Sequence, residues 1–444
     1  MAYYDSVSNT IHINNIDIRS NQVLRATRNH GISAVTAAIF IVGEMAGSGI
    51  LALPRAVVDA GWIGLIIIVI FCVNACFGGT RLALCWEIIE ERYPEYKGTT
   101  RNPYPTIADK TVGKWGSVLV SASIQITLFG IGIVYLLLAS QIIQDLLRPF
   151  LHQLTFCTLF IIFSLLITPP MWLGSPKDFW FVGLGAVLTT ALSCVFIFIQ
   201  MVKDGLGHDF RVSHRPKSFF EFFISFGIIL FSFGGASTFP TIQNDMVDRT
   251  KFKKSVIGAF CAILLLYLPI AYGGYFIYGD NTNSNIVLSL NKGMYVTLAN
   301  VCMAFHLILA YLIAINPVCQ EVENIFDIPN VFFKEFCFLR CLIRTCIVLL
   351  MVIIGESIPS FAMILALVGG STVTLLTFVL PNYFYMKLCD HKCDNWTKRE
   401  IPLYKRIYMW EIILIGILGG VASTYSAVLA IFHLDSMSKP CYLP

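Results

Sequence analysis

The sequence predicts an all-α integral membrane protein, from its composition and from the length of its apolar runs. Hydrophobic residues make up 56% of the 444 residues and charged residues 13%, whereas soluble domains contain roughly 45–50% and about 25%. The apolar residues form runs of about 20 or more, enough for a helix to cross a hydrocarbon core of roughly 30 Å. A soluble protein has no use for such runs, so we expect helices embedded in a lipid bilayer.

Charged or Pro/Gly-rich breaks divide the apolar runs into eleven predicted transmembrane helices. The segments that connect them are short, so we expect no separate soluble domain. The predicted helices, called spans 1 to 11, cover about residues 32–60, 62–88, 115–142, 153–173, 178–200, 219–242, 255–279, 293–319, 338–357, 359–385 and 408–434.

Lysine and arginine residues predict the orientation, because they are enriched in cytosolic loops. With the N-terminus in the cytosol, the cytosolic side carries 22 of the 31 lysine and arginine residues, and the opposite side carries 7. Residues 1–30 are then a cytosolic tail, and residues 436–444 form a short non-cytosolic tail. The glycosylation sequon at Asn395 falls in the cytosol and is expected to carry no glycan.

The polar residues argue against several other classes of protein. A net charge of +4, dispersed along the chain, forms no patch for nucleic acid. No paired His/Asp or Ser–His arrangement suggests catalysis, so we predict no catalytic residue and no enzyme. Cys389, His391 and Cys393 lack the paired spacing of a zinc site, so no metal is predicted. Nearly all 14 cysteines lie in apolar runs, and only Cys441 lies in a non-cytosolic segment, so no disulfide is predicted.

Two spans contain residues that interrupt a helix at mid-membrane. In span 1, residues 47–49 read Gly-Ser-Gly and Pro54 follows; in span 6, residues 234–235 are both glycine and Pro240 follows. Glycine weakens a helix, and proline removes a backbone donor. A single run of this kind also fits close packing of helices through small residues. Its repetition in a second span favours two broken helices.

The positions of the two breaks suggest an inverted repeat. They lie 187 residues apart, and span 6 starts five helices after span 1 starts, an odd number, so spans 1 and 6 cross in opposite directions. Broken helices at matching positions of two halves are typical of secondary transporters and mark the binding site. We therefore predict one repeat over about 31–200, a second over about 218–386 and an extra helix over 408–434. Half-helix N-termini suit a carboxylate and half-helix C-termini suit an ammonium group, which indicates a zwitterionic amino acid.

Four stretches resemble one known family. They are GEMAGSGILALPRAVVDAGW in span 1, FGIILFSFGGASTFPTIQNDM in span 6, YGDNTNSNIVLSL after span 7 and IPSFAMILALVGGSTVTLLTFVLPNYFY in span 10. The chain resembles the amino acid/auxin permease family, which includes proton-coupled, sodium-coupled and vesicular amino acid transporters. The resemblance covers about residues 31–435 as an amino acid transporter transmembrane domain. It implies eleven helices, a leucine-transporter-like five-plus-five fold and amino acid transport, often coupled to an ion gradient.

One departure from the family bears on the coupling ion. Ala310 stands where sodium-using relatives are expected to supply a Ser or Thr hydroxyl from helix 8. Hard cations prefer oxygen ligands, so we expect the proton, and not sodium, as the coupling ion, with no cofactor. Glu44 is the first candidate proton carrier and His306 the second, because ionisable groups at membrane depth are costly and usually functional. The alternatives are a static Glu44–Arg81 pair and a packing role for His306.

The candidate substrate site surrounds the two breaks. Tyr135 joins it through the resemblance, which places span 3 at the interface between repeats. The candidate substrate-binding residues are Ala46, Gly47, Ser48, Gly49, Ile50, Tyr135, Ser232, Phe233, Gly234 and Gly235.

These features predict a secondary active transporter of small neutral amino acids that works by alternating access with proton coupling. A sodium-coupled or passive carrier and an amino-acid-sensing receptor with little flux are the alternatives. The expected partners are an amino acid and the lipid bilayer, and no oligomeric state is predicted. The expected location is the plasma membrane or an endolysosomal or vesicular membrane.

Overall fold

The structure is a computed structural model of the whole chain. It describes residues 31–98, 100–151, 153, 155–172, 179–207, 212–215, 217–328, 338–391, 393, 396–432 and 441, and the side chains of residues 179–182 are not considered. The N-terminal tail, Asn395 and the C-terminal tail apart from Cys441 lie outside the described residues.

The described part of the chain is helical, with one isolated β-bridge between Ile32 and Met246. Short π-helical turns join the helix Phe361–Val368 to the helix Leu380–Asp390, and together they form one continuous span over 361–390. The helices are α1 Ala34–Met45, α2 Ser48–Ala60, α3 Trp62–Arg92, α4 Pro103–Val112, α5 Lys114–Leu147, α6 Phe156–Trp172, α7 Phe179–Leu206, α8 Phe219–Ser232, α9 Phe239–Asn244, α10 Phe252–Gly273, α11 Met294–Ile325, α12 Phe338–Ser357, α13 Phe361–Val368, α14 Leu380–Asp390 and α15 Leu403–Phe432.

The described helices confirm a multi-pass membrane protein. Eight are long and apolar enough to cross a membrane, or up to nine if the bent pair α1–α2 counts as one span. Helix α6 has 17 residues and helix α8 has 14, so both are too short to be counted among these eight. The predicted count of eleven therefore remains a prediction. Helix α4 was not predicted; it lies in the segment expected to be cytosolic, between spans 2 and 3.

Both predicted helix breaks are present. Helix α1 ends at Met45, α2 begins at Ser48, and the two halves meet at a bend of 57°. Helix α8 ends at Ser232, and the chain becomes helical again at Phe239, with Pro240 in the first turn of α9 where its missing N–H costs nothing. Glycines therefore mark the break in both halves, as the sequence predicts, whereas Pro54 lies inside α2, which continues to Ala60.

The broken helices lie at the centre of the bundle. Helix α2 packs against α8, and α10 packs against both α1 and α2. On another side, α11 packs against α5 and α7, and α7 also contacts α1. The break between α1 and α2 therefore faces α5, α7 and α11.

A disulfide joins Cys157 to Cys441, with 5.7 Å between their Cα atoms. The prediction of no disulfide was wrong, because Cys157 was counted inside span 4. Helix α6 begins at Phe156, so Cys157 occupies its first turn, at the membrane edge rather than within the lipid. The tail reaches it with help from a hydrogen bond between the Cys441 N–H and the Glu356 carbonyl, 2.9 Å long.

The disulfide gives a test of sidedness. Disulfides persist in oxidising compartments and are rare in the cytosol. In intact cells whose free surface thiols have been blocked, a membrane-impermeant maleimide added after a membrane-impermeant reductant should label Cys157 and Cys441. The double variant Cys157→Ser/Cys441→Ser supplies the matched control and should lose this labelling. Labelling that requires permeabilised membranes would place these residues in the cytosol or in an organelle lumen, and a cytosolic N-terminal tag would then distinguish the two.

Candidate functional site

The two broken helices pack closely against each other at positions where the sequence has glycine. A Cβ atom on Gly49 would lie 2.8 Å from the Ser232 Oγ and 3.0 Å from its Cα. A Cβ atom on Gly235 would lie 2.5 Å from the Cγ of Met45. Such separations are too short for real side chains, so glycine is required at both places. Close packing, the alternative reading of these glycines, therefore applies to Gly49 and Gly235.

A tyrosine on α10 contacts both breaks. The Tyr267 hydroxyl lies 2.8 Å from the carbonyl oxygen of Met45 and 3.1 Å from that of Ser232. These carbonyls belong to the last residues of α1 and α8, where helical acceptors lack intrahelical partners. The Tyr267 ring is fully buried and lies 5.6 Å from the ring of Phe233, between centroids.

His306 approaches the break from α11. Its Nδ1 lies 3.0 Å from the Ala186 carbonyl oxygen and 2.7 Å from the Thr190 Oγ1. A carbonyl only accepts hydrogen bonds, so we assign the proton to Nδ1 and a lone pair to Nε2. His306 is fully buried, and within the described residues its Nε2 has no hydrogen-bond partner. A Cβ atom placed on Gly47 would lie 3.0 Å from this nitrogen and 3.3 Å from the Tyr135 hydroxyl oxygen.

A cavity of about 300 Å³ adjoins the break on the side of α1. Its walls are mainly apolar, and they include the side chains of Glu44 and Tyr135. Within the described residues, the Glu44 carboxylate has no hydrogen bond and no ion pair. The cavity is lined by Phe40, Gly43, Glu44, Ile131, Tyr135, Gly183, Ala186, Thr238, Ile242, Ala310, Ile313 and Ala314.

Arg81 does not pair with Glu44. Its guanidinium lies over two aromatic rings, 4.6 Å from the centroid of Phe77 and 4.9 Å from that of Tyr385. Cation–π contacts of this kind hold a positive charge without a carboxylate. The static Glu44–Arg81 pair, which the sequence left open, is therefore absent, and Glu44 keeps its free carboxylate in the cavity.

A second cavity, of about 360 Å³, continues from the first toward one side of the membrane. The two share Thr238 and Ile242 in their walls. The second is lined by residues 101–105, which precede and begin α4 on the side predicted to be cytosolic, and by Gln320 and Glu321 near the end of α11. The two cavities thus lead from the break toward that side.

Four charged residues close the opposite side, and we call them the ion cluster: Arg55, Asp59, Lys217 and Asp280. The Lys217 Nζ lies 3.3 Å from an Asp59 oxygen and 2.7 Å from an Asp280 oxygen. The Arg55 Nε lies 2.7 Å from Asp59, and its Nη1 donates to the Thr282 carbonyl at 2.8 Å. The cluster joins α2, the residues just before α8 and the loop after α10. Helices α2 and α8 are the halves of the two broken helices that lie on this side.

Two of the predicted site residues, Glu44 and Tyr135, line the first, apolar cavity. Ser232 donates its hydroxyl to Ile228 of its own helix at 2.9 Å, and a Cβ on Gly234 would meet Val373. The others are buried at the helix crossing. These buried residues are Ala46, Ser48, Gly49, Ile50, Phe233 and Gly235.

The sequence analysis missed the walls contributed by other helices. Gly183, Ala186 and Ala314 leave space for the cavity because their side chains are small, and the Tyr267 hydroxyl reaches both breaks from α10. Small residues are frequent in membrane helices for packing alone. No local signal marks these residues, because their role depends on which helices become neighbours.

Comparisons with known proteins agree with this architecture. A family model described as transmembrane amino acid transporter protein matches residues 30–429. The amino acid transporter AVT1D of Arabidopsis thaliana is 25% identical over 392 residues, which cover 86% of this chain and 67% of that protein. The amino acid transporter AVT1H of Arabidopsis thaliana is 26% identical over 399 residues, which cover 88% of each.

A solved structure supports the fold separately. The structure of MhsT in complex with L-phenylalanine matches with a TM-score of 0.50 at 12% identity, over 90% of this chain and 99% of that one. Identity at this level shows the fold alone, and it confirms the predicted leucine-transporter-like fold. The relatives are transporters and not enzymes, which confirms that prediction as well. The chain belongs to the transmembrane amino acid transporter family.

Proposed function

We propose that the protein carries small neutral amino acids across a membrane by alternating access, and that transport is coupled to protons through Glu44. The observation that carries this proposal is the free Glu44 carboxylate in an apolar cavity beside the helix break. A lone charge in such surroundings is costly, and protonation removes the cost. Loading a proton at Glu44 therefore changes the energy of the cavity, which is what coupling needs.

The polar groups at the break suit an amino acid backbone. Helix α2 begins at Ser48 without a side-chain cap on Gly47, so its first amides are available to a carboxylate. The Nε2 lone pair of His306 and the Tyr135 hydroxyl face the same glycine and suit an ammonium group. Apolar walls from Phe40, Ile131 and others favour an uncharged side chain.

The residue at position 310 favours protons over sodium. Ala310 lines the same cavity as Glu44 and offers no side-chain oxygen. Sodium prefers several oxygen ligands, whereas a proton needs one acceptor. Uptake of labelled neutral amino acids into proteoliposomes, with a pH gradient or a sodium gradient imposed in turn, tests the proposal. Accumulation that follows the pH gradient supports it; no uptake of any amino acid under either gradient would refute it.

The asymmetry of the site supports alternating access. Cavities lead from the break toward the side predicted to be cytosolic, and the ion cluster closes the other side. This arrangement corresponds to an inward-facing state in which the ion cluster is the closed outer gate. The outward-facing state would then require the pairs of Lys217 to separate.

Lys217→Gln is expected to favour the outward-facing state. It removes two ion pairs of a lysine whose side chain is 8% exposed. Pairs of this kind are together worth roughly 1 kcal/mol, which is about a fivefold change in a two-state equilibrium. The apparent KM for external substrate should therefore fall up to about fivefold, measured as initial uptake by intact cells.

Lys292→Gln is the matched control for this variant. Lys292 also lies on the predicted non-cytosolic side, but it is 77% exposed and lies 3.9 Å from Asp145, so its loss should leave the KM unchanged. If Lys217→Gln behaves like Lys292→Gln, the ion cluster is a surface feature and not a gate.

A further inference from the structure

The hydroxyl of Tyr267 lies between equivalent points of the two broken helices. Met45 ends α1 and Ser232 ends α8, and these residues are 187 positions apart, the same spacing that separates Gly47 from Gly234. The hydroxyl lies 2.8 Å from one carbonyl oxygen and 3.1 Å from the other. One side chain from a third helix thus contacts the matching ends of both halves of the predicted repeat.

The two carbonyls compete for one hydrogen. A phenol has a single O–H, so Tyr267 shares it between two acceptors. The Met45 carbonyl oxygen also accepts a hydrogen bond from the Gly47 N–H at 3.0 Å. Among the described contacts, the Ser232 carbonyl oxygen accepts from Tyr267 alone. Both oxygens end a helix and carry part of its negative dipole, so they would repel each other without a shared donor.

The surroundings make this contact a structural link between the breaks. The same two residues fit against the facing glycines, Ser232 against Gly49 and Met45 against Gly235. Tyr267 is fully buried, so its hydroxyl contacts these carbonyls away from bulk solvent. If α1 and α8 shift relative to each other at the crossing, at least one hydrogen bond to Tyr267 must break.

We infer that Tyr267 is a positioning residue that holds the C-terminal ends of α1 and α8 in the arrangement that binds substrate. The inference rests on the proposed function, because it takes the helix breaks as the substrate site. Without the hydroxyl, both buried carbonyls lose a donor and the two ends separate. Substrate must then bring them together, which weakens its binding.

The first experiment compares two tyrosines of one helical segment. Tyr267→Phe removes the hydroxyl and keeps the ring. Tyr272→Phe, also on α10, removes a hydroxyl that donates to the Leu65 carbonyl at 3.2 Å, away from the breaks. In proteoliposomes, the KM of amino acid uptake should rise about tenfold in Tyr267→Phe, as expected for leaving the buried Ser232 carbonyl without a donor. Tyr272→Phe should keep the wild-type KM, although the temperature of thermal unfolding without ligand should fall in both variants.

A second variant separates positioning from packing. Tyr267→4-aminophenylalanine keeps the ring and offers two N–H hydrogens, one for each carbonyl. It should restore the KM to the wild-type value or below it, whereas a packing role predicts no difference from Tyr267→Phe. A Phe-like KM in the amino variant, or an unchanged KM in Tyr267→Phe, would overturn the inference. Failure of the proposed function looks different, because the wild-type protein itself would then transport no amino acid.

Discussion

Glu44→Gln is expected to abolish the acceleration of uptake by an inward proton gradient while leaving exchange of bound amino acid intact. Glutamine has nearly the shape of protonated glutamate, so the cavity keeps its walls and its substrate contacts. It can neither load nor release a proton, so the gradient has no carrier. A charge at membrane depth costs roughly 2.5–3.5 kcal/mol, so proton loading at Glu44 has a large effect on the cavity. Without it, accumulation should fall to the level reached with no pH gradient.

The measurement is accumulation of labelled amino acid in proteoliposomes with and without a pH gradient, beside exchange at equal pH. Arg81→Gln is the matched control. Because the Arg81 guanidinium lies over Phe77 and Tyr385 and not against Glu44, its loss should lower stability by the worth of cation–π contacts, about 1 kcal/mol, and leave coupling intact. Uptake that follows a sodium gradient at fixed pH and ignores a pH gradient would contradict proton coupling.

The backbone of the site was predictable because its signals are local. Gly47 and Gly49 in one span, and residues 234–235 in the other, weaken a helix wherever it is placed, and both breaks appear. Glu44 was predictable for a similar reason, since a carboxylate in an apolar run stands out in any neighbourhood. The choice between a free Glu44 and a Glu44–Arg81 pair was not predictable, because it depends on the aromatic rings that α3 and α14 bring to Arg81.

The side chains around the breaks required the three-dimensional structure. Tyr267 is one aromatic residue in an apolar run, and its role exists only because α10 crosses both breaks. Cys157 was misjudged because the predicted span began at 153, whereas α6 begins at Phe156. An error of three residues moved a thiol from the membrane edge into the lipid and concealed the disulfide with Cys441.

Gly47→Leu is expected to reduce uptake to background while the protein still inserts and folds. A Cβ atom on Gly47 would lie 3.0 Å from the His306 Nε2 and 3.3 Å from the Tyr135 hydroxyl. The rest of a leucine side chain must displace these two polar groups, which face the break and have no other described partner. Overpacking of this kind costs about 1–3 kcal/mol, which a folded bundle tolerates. The substrate backbone, however, loses both the space and the groups proposed to bind it.

Graded and matched variants make this result specific to the site. Gly47→Ala adds only the Cβ atom, 3.0 Å from the His306 Nε2, so it should keep part of the uptake with a raised KM. Gly258→Leu, on α10, is the control, because no atom lies within 4 Å of the added Cβ, and it should transport at the wild-type rate. Detergent-solubilised Gly47→Leu should elute as a single sharp peak in size-exclusion chromatography, which separates loss of function from loss of fold. If Gly47→Leu transports as well as Gly258→Leu, the glycine only packs helices, and the substrate binds away from the break in span 1.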